Sequence, residues 1–371
     1  MNSEYTRRGA KYQARWWKKH ISVIVCLLII TPLLCIYTWR ISERMILYVY
    51  RLITRRGLVV TLDDDGVPIN DYQYVGSVYI GKQRYPITIA QRALVCWDKD
   101  DVYLPHYYPF DDRNKGYDEQ GFLSCVEWIV NNATSRDNYA VWEFNFPYEH
   151  YNLMAPWRSA MAQGQCIQVL ARAYQLTGDN NYLELAKKAL TAFYVEVENG
   201  GVTLKGDKGW WYEEYANEGG ANPRVLNGHI FALEGIHEYY VATNDEEAKY
   251  LFDKGILALK AHLPDYDTGA WTYYDTLGTT ATEGYHKLHV TQMLHLYHLT
   301  NDPVFKQYHG RWKTYRYRPA IFPVRLIKEP TKMNLAIYLS NFVFYLFIVE
   351  MIVFSASRVR RGKMEKTRTR R

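Results

Sequence analysis

The sequence predicts a mainly helical α+β protein: an α/α barrel or toroid behind a small β-rich domain, with a transmembrane helix at each end. Three observations support this fold class. The hydrophobic period changes from strand-like to helical near residue 117, the helices recur in pairs with a repeat of roughly 60 residues, and two apolar runs flank the whole. The expected boundaries are 1–56 for a basic tail, first span and juxtamembrane segment, 57–116 for the β-rich domain, 117–318 for the barrel, and 319–371 for the second span and basic tail.

Both ends of the chain are predicted to be membrane segments. Residues 21–39 form an almost wholly apolar run that is long enough to cross a bilayer, and residues 334–354 form a second. No small-residue cleavage site follows the first run, so we interpret it as an uncleaved anchor. Basic residues crowd into the outer flanks, 7–19 and 358–371, which predicts cytoplasmic termini and an extracytoplasmic middle. The net charge of +6 therefore indicates a membrane partner and no nucleic acid.

Residues 57–110 have the pattern of strands and turns. Val59–Leu62 reads as a strand that ends in the turn residues Asp63–Pro68, and Tyr74–Gly81 alternates until it breaks at a glycine. Asp63, Asp64 and Asp65 suggest a structural calcium site, but the remaining ligands of a calcium loop do not follow. We therefore favour a solvated turn over calcium, and no other cofactor is expected.

From residue 117 onward the pattern is helical. Three similar signals, Leu176–Asp179, Val241–Asp245 and Leu299–Asp302, each end one helix and cap the next, as in αα-hairpins. The long aromatic loops 200–222 and 264–283 then lie at the opposite end of the hairpins, where an α/α barrel commonly holds a polysaccharide. The predicted helices are 118–130, 157–176, 181–197, 225–243, 245–263, 284–299 and 303–317.

The segment Trp210–Tyr215 concentrates two tryptophans, two tyrosines and two glutamates, and Arg224–Gly228 follows it. Flat aromatic faces stack on sugar rings, and acids bind hydroxyls or transfer protons. Glu213 and Glu214 are adjacent and point in different directions, so a glycoside hydrolase would need a second, distant acid. Candidates for that acid are Glu143, Asp267 and Glu283; an acidic helix N-terminus remains the alternative interpretation of the glutamates.

Two further motifs carry polar side chains into helices. His286 and His289 lie three residues apart on one helical face, but no third ligand follows, so we predict hydrogen bonding or a structural role and no metal. Gln163 and Gln165 follow Pro156 and Trp157 and are suited to sugar hydroxyls. Close helix packing at Gly164 explains the second motif equally well.

The five cysteines show no metal-binding spacing. Three of them, Cys96, Cys125 and Cys166, lie outside the apolar runs and allow at most one disulfide, so both oxidising and reducing compartments stay open.

Taken together, these motifs resemble the C-terminal catalytic domain of the D-glucuronyl C5-epimerases, which act on heparosan in heparan sulfate biosynthesis. The resemblance covers roughly residues 153–315 in order and spacing, and Ile87–Gln91 is similar to a shorter signature in the family's β-rich part. It implies an incomplete α/α barrel behind a β-domain, a uronate-containing polysaccharide as substrate, and a plausible homodimer. The matching segments are Met161–Gln165, Trp211–Tyr215, Val225–Gly228, Leu263–Gly269, Tyr273–Asp275 and Tyr285–His289.

The resemblance also implies catalytic roles for Tyr215, Tyr274 and Tyr285, with Glu214 as the acid before the first of them. Leu277 stands where the family pattern has an arginine, and the loop 276–284 is shorter. We therefore consider other cations for the substrate carboxylate: Arg224, Arg158, Lys287 and His286. The remaining candidates for substrate binding are Asn227, His289, Trp157, Gln163, Gln165 and Trp211.

The chemistry of a uronate epimerase is consistent with tyrosines. Inverting C5 requires removal of a weakly acidic proton next to a carboxylate and its return on the other ring face, with one acid/base on each side. A tyrosine, with a reference pKa of about 10, serves as base when activated and as acid afterwards. We assign Tyr215 and Tyr285 to the two faces, in an order left open, and Tyr274 to assist. A polysaccharide lyase, a hydrolase that depends on the glutamates, and a non-catalytic glycan-binding protein remain the alternatives.

Overall fold

The computed structural model shows a mostly helical protein with several small sheets. Contacts divide the chain into two units, one of residues 55–314 and one that combines 1–54 with 315–371. The first unit holds the predicted β-rich and barrel regions together. The structure describes residues 2–54, 59–75, 77–97, 117–315, 317, 321–328 and 330–368.

The β-rich part of the first unit begins with a three-stranded antiparallel sheet. β1 (Val59–Leu62) pairs with β2 (Pro68–Asp71), which pairs with β5 (Lys82–Gln83); β3 (Tyr74–Val75) and β4 (Val78–Tyr79) form a hairpin between them. The β1–β2 turn is closed by Asp63, which accepts backbone hydrogen bonds from Asp65 and Val67 and pairs with Arg84. The carboxylate considered for calcium is thus engaged within the protein.

The prediction of strands and turns over residues 57–110 is wrong for Pro86–Trp97. Helix α2 (Pro86–Trp97) is buried along almost its whole length, including the signature Ile87–Gln91. A short apolar run does not show by periodicity whether it is a buried strand or a buried helix. Pro86, at the first helical position, favours the helix because its φ is already helical and it lacks the N–H that would be unbonded there. Residues 98–110 of this prediction lie outside the described residues.

The predicted helices from residue 118 onward are confirmed, with bounds shifted by a few residues. The repeated stop-and-start signals have the expected geometry: Gly178, Asn244 and Asn301 are left-handed C-caps, and Asp179 and Asp245 then cap the next helix with their side chains. The helices are α3 (Glu119–Asn131), α4 (Ala160–Thr177), α5 (Asn180–Thr191), α6 (Leu226–Thr243), α7 (Glu246–His262), α8 (Glu283–Thr300) and α9 (Pro303–Tyr315).

Alternate helices pack in one row, from α2 to α4, α6 and α8, as in an α/α barrel. The closest contact in the row joins α4 and α6 through two glycines. A Cβ on Gly164 would lie 2.6 Å from the Ala232 Cα, and a Cβ on Gly235 would lie 2.0 Å from the Gly164 carbonyl oxygen. The packing interpretation of Gly164 is therefore confirmed.

Short strands join these helices and lead into their N-termini. β6 (Thr134–Ser135) pairs with β7 (Ala140–Val141), β8 (Glu143–Phe144) with β9 (Trp157–Arg158), and β10 (Thr203–Gly206) with β11 (Gly209–Tyr212). β9 runs directly into α4, and β11 leads toward α6. The segments before α4, α6 and α8 are thereby held at the same end of the helices.

The second unit contains the long helices α1 (Asn2–Thr54) and α11 (Lys332–Arg368), together with α10 (Ile321–Lys328). They join through polar side chains: Asn341 donates to the Ser42 hydroxyl at 2.9 Å, and the Tyr345 and Thr38 hydroxyls are 3.0 Å apart. Tyr338 donates to the Leu28 carbonyl at 3.0 Å, the carbonyl that Pro32 leaves without its helical donor.

In the described part of the chain, only the second of the two predicted membrane spans is a single helix with the length and hydropathy of a membrane span. Lys332–Ala356 is long and apolar enough to cross a bilayer, with a mean hydropathy of 2.0. The first predicted span, residues 21–39, is not supported as one straight helix. α1 bends by 86° between Ile21–Cys35 and Tyr37–Tyr50, so these two parts are long and apolar enough to cross a bilayer only when they are taken together. The predicted pair of spans and their topology are therefore not supported. The same length and apolar composition also occur in buried core helices and in signal sequences.

Candidate active site

A cavity of about 220 Å³ opens where the segments before α4, α6 and α8 meet. Its wall is dominated by phenol rings from all three segments. Five tyrosines contribute, and threonines from the loop before α8 complete the polar surface. The lining residues are Tyr148, His150, Tyr151, Tyr215, Tyr274, Thr279, Thr280, Thr282 and Tyr285.

Glu213 holds the chain in place around Tyr215. Its two carboxylate oxygens accept the backbone N–H groups of Tyr215 at 3.0 Å and Arg224 at 2.9 Å. Burial raises the pKa of Glu213 to about 7, although these hydrogen bonds act to lower it. Glu213 thus has a positioning role, whereas its neighbour Glu214 faces a different environment.

Glu214 is a buried acid beside the Tyr215 hydroxyl. It packs on the first turn of α6, where a Cβ added to Gly228 would lie 2.1 Å from its Oε2. That oxygen has no hydrogen-bond partner among the described residues. Burial, followed by the charge of Glu213, raises the pKa of Glu214 to about 8, and a polar contact with Tyr215 partly opposes the shift. The carboxyl group therefore titrates in the neutral range.

Tyr274 and Tyr285 also line the cavity, with ring centroids 4.5 Å apart. The Tyr274 backbone donates to Thr279 at 2.6 Å and accepts from Leu226 at 3.1 Å, which ties the loop before α8 to α6. Tyr285 lies in the first turn of α8, which Thr282 caps. Both side chains therefore project from fixed backbone.

The cavity tyrosines are weak acids in a connected polar cluster. Burial raises the pKa of Tyr215, Tyr274 and Tyr285 well above their usual range. Polar contacts link Glu214 to Tyr215, Tyr215 to Tyr274 and Tyr274 to Tyr285. Because Glu214 has the lowest pKa in this chain of groups, it is the one that ionises near neutral pH.

The structure brings together the four residues that the resemblance implies are catalytic, since Glu214 contacts Tyr215 behind the cavity wall. The predicted substrate-binding residues lie elsewhere. Arg158 is buried and pairs with Glu218 at 2.7 Å, and Gln163 bonds to Trp142, Ala140 and Ala189. Trp157 supports the cavity from behind, with its ring 5.7 Å from that of Tyr215. These side chains hold the framework of the site.

His286 and His289 lie behind the cavity, in a buried cluster. His286 stacks on Trp271 at 3.5 Å between ring centroids and bonds to the Trp312 carbonyl at 3.2 Å. Both imidazoles also contact the Thr272 hydroxyl, at 2.9 and 3.1 Å. Of the roles predicted for His286 and His289, the structural role matches these contacts.

The other predicted substrate-binding residues also lie off the described cavity wall. Trp211 stacks on His229 at 4.0 Å, Asn227 is buried at the start of α6, and Lys287 is exposed on α8. The Arg224 backbone accepts from Tyr266, and Gln165 lines a different cavity further along α4. No group of three or more potential metal ligands occurs among the described residues.

Sequence reasoning missed the segment Tyr148–Tyr151. The Tyr148 ring stacks on Tyr215 at 5.5 Å with an interplanar angle of 10°. Tyr151 donates to the buried Asp275 at 2.8 Å, while the other oxygen of Asp275 accepts the N–H groups of Leu277 and Thr279. The signal was present, because this segment mixes aromatic and acidic residues as Trp210–Tyr215 does.

The chain is similar to known proteins over the region that forms this site. Residues 136–314 match the family described as the D-glucuronyl C5-epimerase C-terminus. The D-glucuronyl C5-epimerase of Caenorhabditis elegans is 35% identical over 296 residues, which covers 68% of this chain and 48% of that protein. An uncharacterized protein of Methanocaldococcus jannaschii is 34% identical over 269 residues, covering 68% of this chain and 84% of that protein.

The fold and the matches define an enzyme of the epimerase class that acts on carbohydrate. More narrowly, the chain belongs to the D-glucuronyl C5-epimerase family, although it spans about half the length of the nematode enzyme. A solved GH76 α-mannanase of Bacteroides thetaiotaomicron covers 88% of this chain and 87% of its own, with 12% identity and a TM-score of 0.42. Similarity at that level supports no argument.

Proposed function

We propose that this protein converts D-glucuronate to L-iduronate residues within a glycosaminoglycan-like polysaccharide, by inversion at C5 and without a cofactor. The observation that carries this proposal is the tyrosine-lined cavity with the buried Glu214 beside Tyr215. In this proposal, Tyr215 and Tyr285 act on opposite faces of the bound ring. Membership of the epimerase family supports the same reaction.

The order of the pKa values assigns the first proton transfer. The Tyr215 hydroxyl accepts the C5 proton as it passes its own proton to the Glu214 carboxylate. The electron pair of the broken C–H bond moves into the substrate carboxylate. Glu214 is suited to receive the proton because it is the group of this cluster that is ionised near neutral pH, and its pKa of about 8 makes its carboxylate a stronger base than that of an ordinary glutamate. No redox change occurs.

The second transfer returns a proton to the other face of C5. Tyr285 donates its hydroxyl proton and is left as a phenolate, while Glu214 is protonated. The contacts from Glu214 through Tyr215 and Tyr274 to Tyr285 give a path along which the proton returns. Tyr274 is then a relay, and the enzyme regains its starting state.

The decisive experiment is hydrogen exchange at C5. The full-length chain, purified in detergent, is incubated in D₂O with heparosan and related glucuronans, and deuterium at C5 is measured by NMR. We expect deuterium at C5 together with iduronate. An unsaturated product that absorbs in the ultraviolet identifies a lyase instead, and no exchange by folded protein contradicts the proposal.

A further inference from the structure

The cavity lining contains little positive charge for a site that would bind a carboxylate. In the part of the chain that the structure describes, its lining contains hydroxyls and a single side chain that can carry positive charge, His150. The cations considered from sequence are engaged or placed elsewhere. Arg158 pairs with Glu218, and Lys287 is exposed outside the lining.

His150 is held on a tightly bonded turn at the edge of the cavity. Tyr148 and Leu153 exchange two backbone hydrogen bonds of 3.0 Å across it, and Asn152 closes it in the left-handed conformation, with φ of 55°. The Glu149 carboxylate accepts from the Ser77 backbone at 2.6 Å and from its hydroxyl at 3.0 Å. The position of the imidazole is therefore set by folded backbone on both sides.

The surroundings of His150 direct it toward the bound sugar. Its ring contacts Tyr151 at 4.5 Å between centroids and Tyr148 at 6.3 Å, so both cavity tyrosines flank it. Tyr151 in turn is fixed by its hydrogen bond to Asp275. His150 itself is exposed, whereas these neighbours are more buried, and it lines the cavity.

We propose that His150 is a substrate-binding residue that pairs with the carboxylate of the uronate in the cavity and selects uronates over neutral hexoses. The inference rests on the proposed function for the identity of the ligand. A protonated imidazole would also stabilise the charge that builds on the carboxylate when the C5 proton leaves. This chain would thus meet the carboxylate from the segment before α4.

The test compares binding of heparosan with binding of carboxyl-reduced heparosan, in which the acid is replaced by an alcohol. Isothermal titration calorimetry on the detergent-solubilised full chain gives the affinity ratio for the wild type, His150→Gln and His150→Lys. His298→Gln, an exposed histidine on α8 outside the cavity, is the matched control. C5 exchange is measured on the same samples.

We expect the wild type to prefer heparosan, and His150→Gln to lose about 5- to 10-fold of that preference. The preference should weaken with salt in the wild type and much less in His150→Gln. His150→Lys should restore it, and His298→Gln should leave it unchanged. The inference is overturned if His150→Gln has the same affinity ratio for heparosan over carboxyl-reduced heparosan as the wild type, or if the wild type shows no preference for heparosan.

The two proposals fail separately in this design. If the wild type exchanges C5 deuterium but the ratio is the same in His150→Gln, the epimerase proposal stands and His150 has no role in recognition. If the ratio falls as expected but no glucuronan undergoes exchange, His150 recognises the carboxylate and the epimerase proposal fails.

Discussion

Two cavities of similar volume lie along the same helices, and the acids beside them, Glu238 and Glu214, differ in their partners. The tyrosine cavity measures about 220 Å³; the second, about 200 Å³, lies further along α4, α6 and α8. In the second, Arg172 donates to Glu238 at 2.6 and 3.1 Å, so the Glu238 carboxylate is paired within the protein. In the first, Glu214 has an oxygen without a hydrogen-bond partner among the described residues.

The same helices thus hold one acid that contributes to stability through an ion pair and another acid that is suited to proton transfer. Charges that pair with one another stabilise the row of helices, whereas a buried acid without full hydrogen bonding costs stability and remains reactive. Gln165 illustrates the point, because sequence reasoning assigned it to the substrate and the structure places it in the second cavity. Three substitutions and one pH series test the contrast.

The largest effect is expected for Tyr215→Phe. Removing the hydroxyl removes the group that accepts the C5 proton, so deuterium incorporation at C5 should fall by roughly 10³- to 10⁴-fold. The matched control is Tyr239→Phe, which removes the hydroxyl of a buried tyrosine on α6 outside the cavity. Equal rates in the two variants would contradict the assignment of Tyr215.

Glu214→Gln should have the next largest effect. The amide keeps the shape of the side chain but does not accept the proton from Tyr215, so we expect C5 exchange to fall by roughly 10²- to 10³-fold. The measurement is the initial rate of deuterium incorporation at saturating heparosan. Retention of more than a tenth of the wild-type rate would mean that Tyr215 passes its proton elsewhere.

The pH dependence of stability should show the cost of Glu214. Burial raises its pKa from 4.5 to about 8, so the folded state holds a proton that the unfolded state releases. This contribution is fully present below pH 4.5 and is lost as pH rises toward 8. The wild type should lose about 3 kcal/mol between pH 5 and 8 from this group.

Thermal unfolding at several pH values checks this expectation. The melting temperature of Glu214→Gln should fall less between pH 5 and 8 than that of the wild type, and exposed Glu246→Gln is the matched control. Parallel curves for the wild type and Glu214→Gln would show that Glu214 does not titrate in this range.

The smallest effect is expected in the second cavity. Glu238→Gln leaves Arg172, whose side chain is 11% exposed, without its partner carboxylate. We expect a loss of about 1 kcal/mol in the free energy of unfolding, because the pair is partly solvated, and no change in C5 exchange. Chemical denaturation and the exchange assay measure the two quantities. A loss of exchange comparable to that of Glu214→Gln would mean that the two cavities are functionally coupled.

Sequence reasoning succeeded where the signal is local. Helices α3 to α9 were predicted because each has a helical period and most have capping residues, such as Asp179 and Asp245. It failed at α2, which is buried along almost its whole length, although Thr88, Gln91 and Arg92 recur at helical spacing. Local pattern thus predicted elements well and their burial poorly.

In the candidate site, too, local signals were informative and long-range contacts were not visible in the sequence. The family resemblance pointed to Tyr215, Tyr274 and Tyr285 through compact motifs, and the structure places all three in the lining of one cavity. Their contact with Tyr151 was not predicted, because the bond from Tyr151 to Asp275 joins residues 124 positions apart in the chain. Polar residues inside matching motifs, such as Gln163 and His286, were assigned to the substrate although their partners are neighbouring backbone and side chains.

The close fit between Glu214 and Gly228 has an evolutionary consequence. Because a Cβ at residue 228 would lie 2.1 Å from the Glu214 Oε2, the two positions share one small volume. A homologue that places a larger residue at 228 must shorten or redirect the acid at 214, and a homologue that retains the acid must retain the glycine. The two positions should therefore vary together across related sequences, so that the glycine identifies, in a sequence alone, the chains that keep this acid next to the tyrosine.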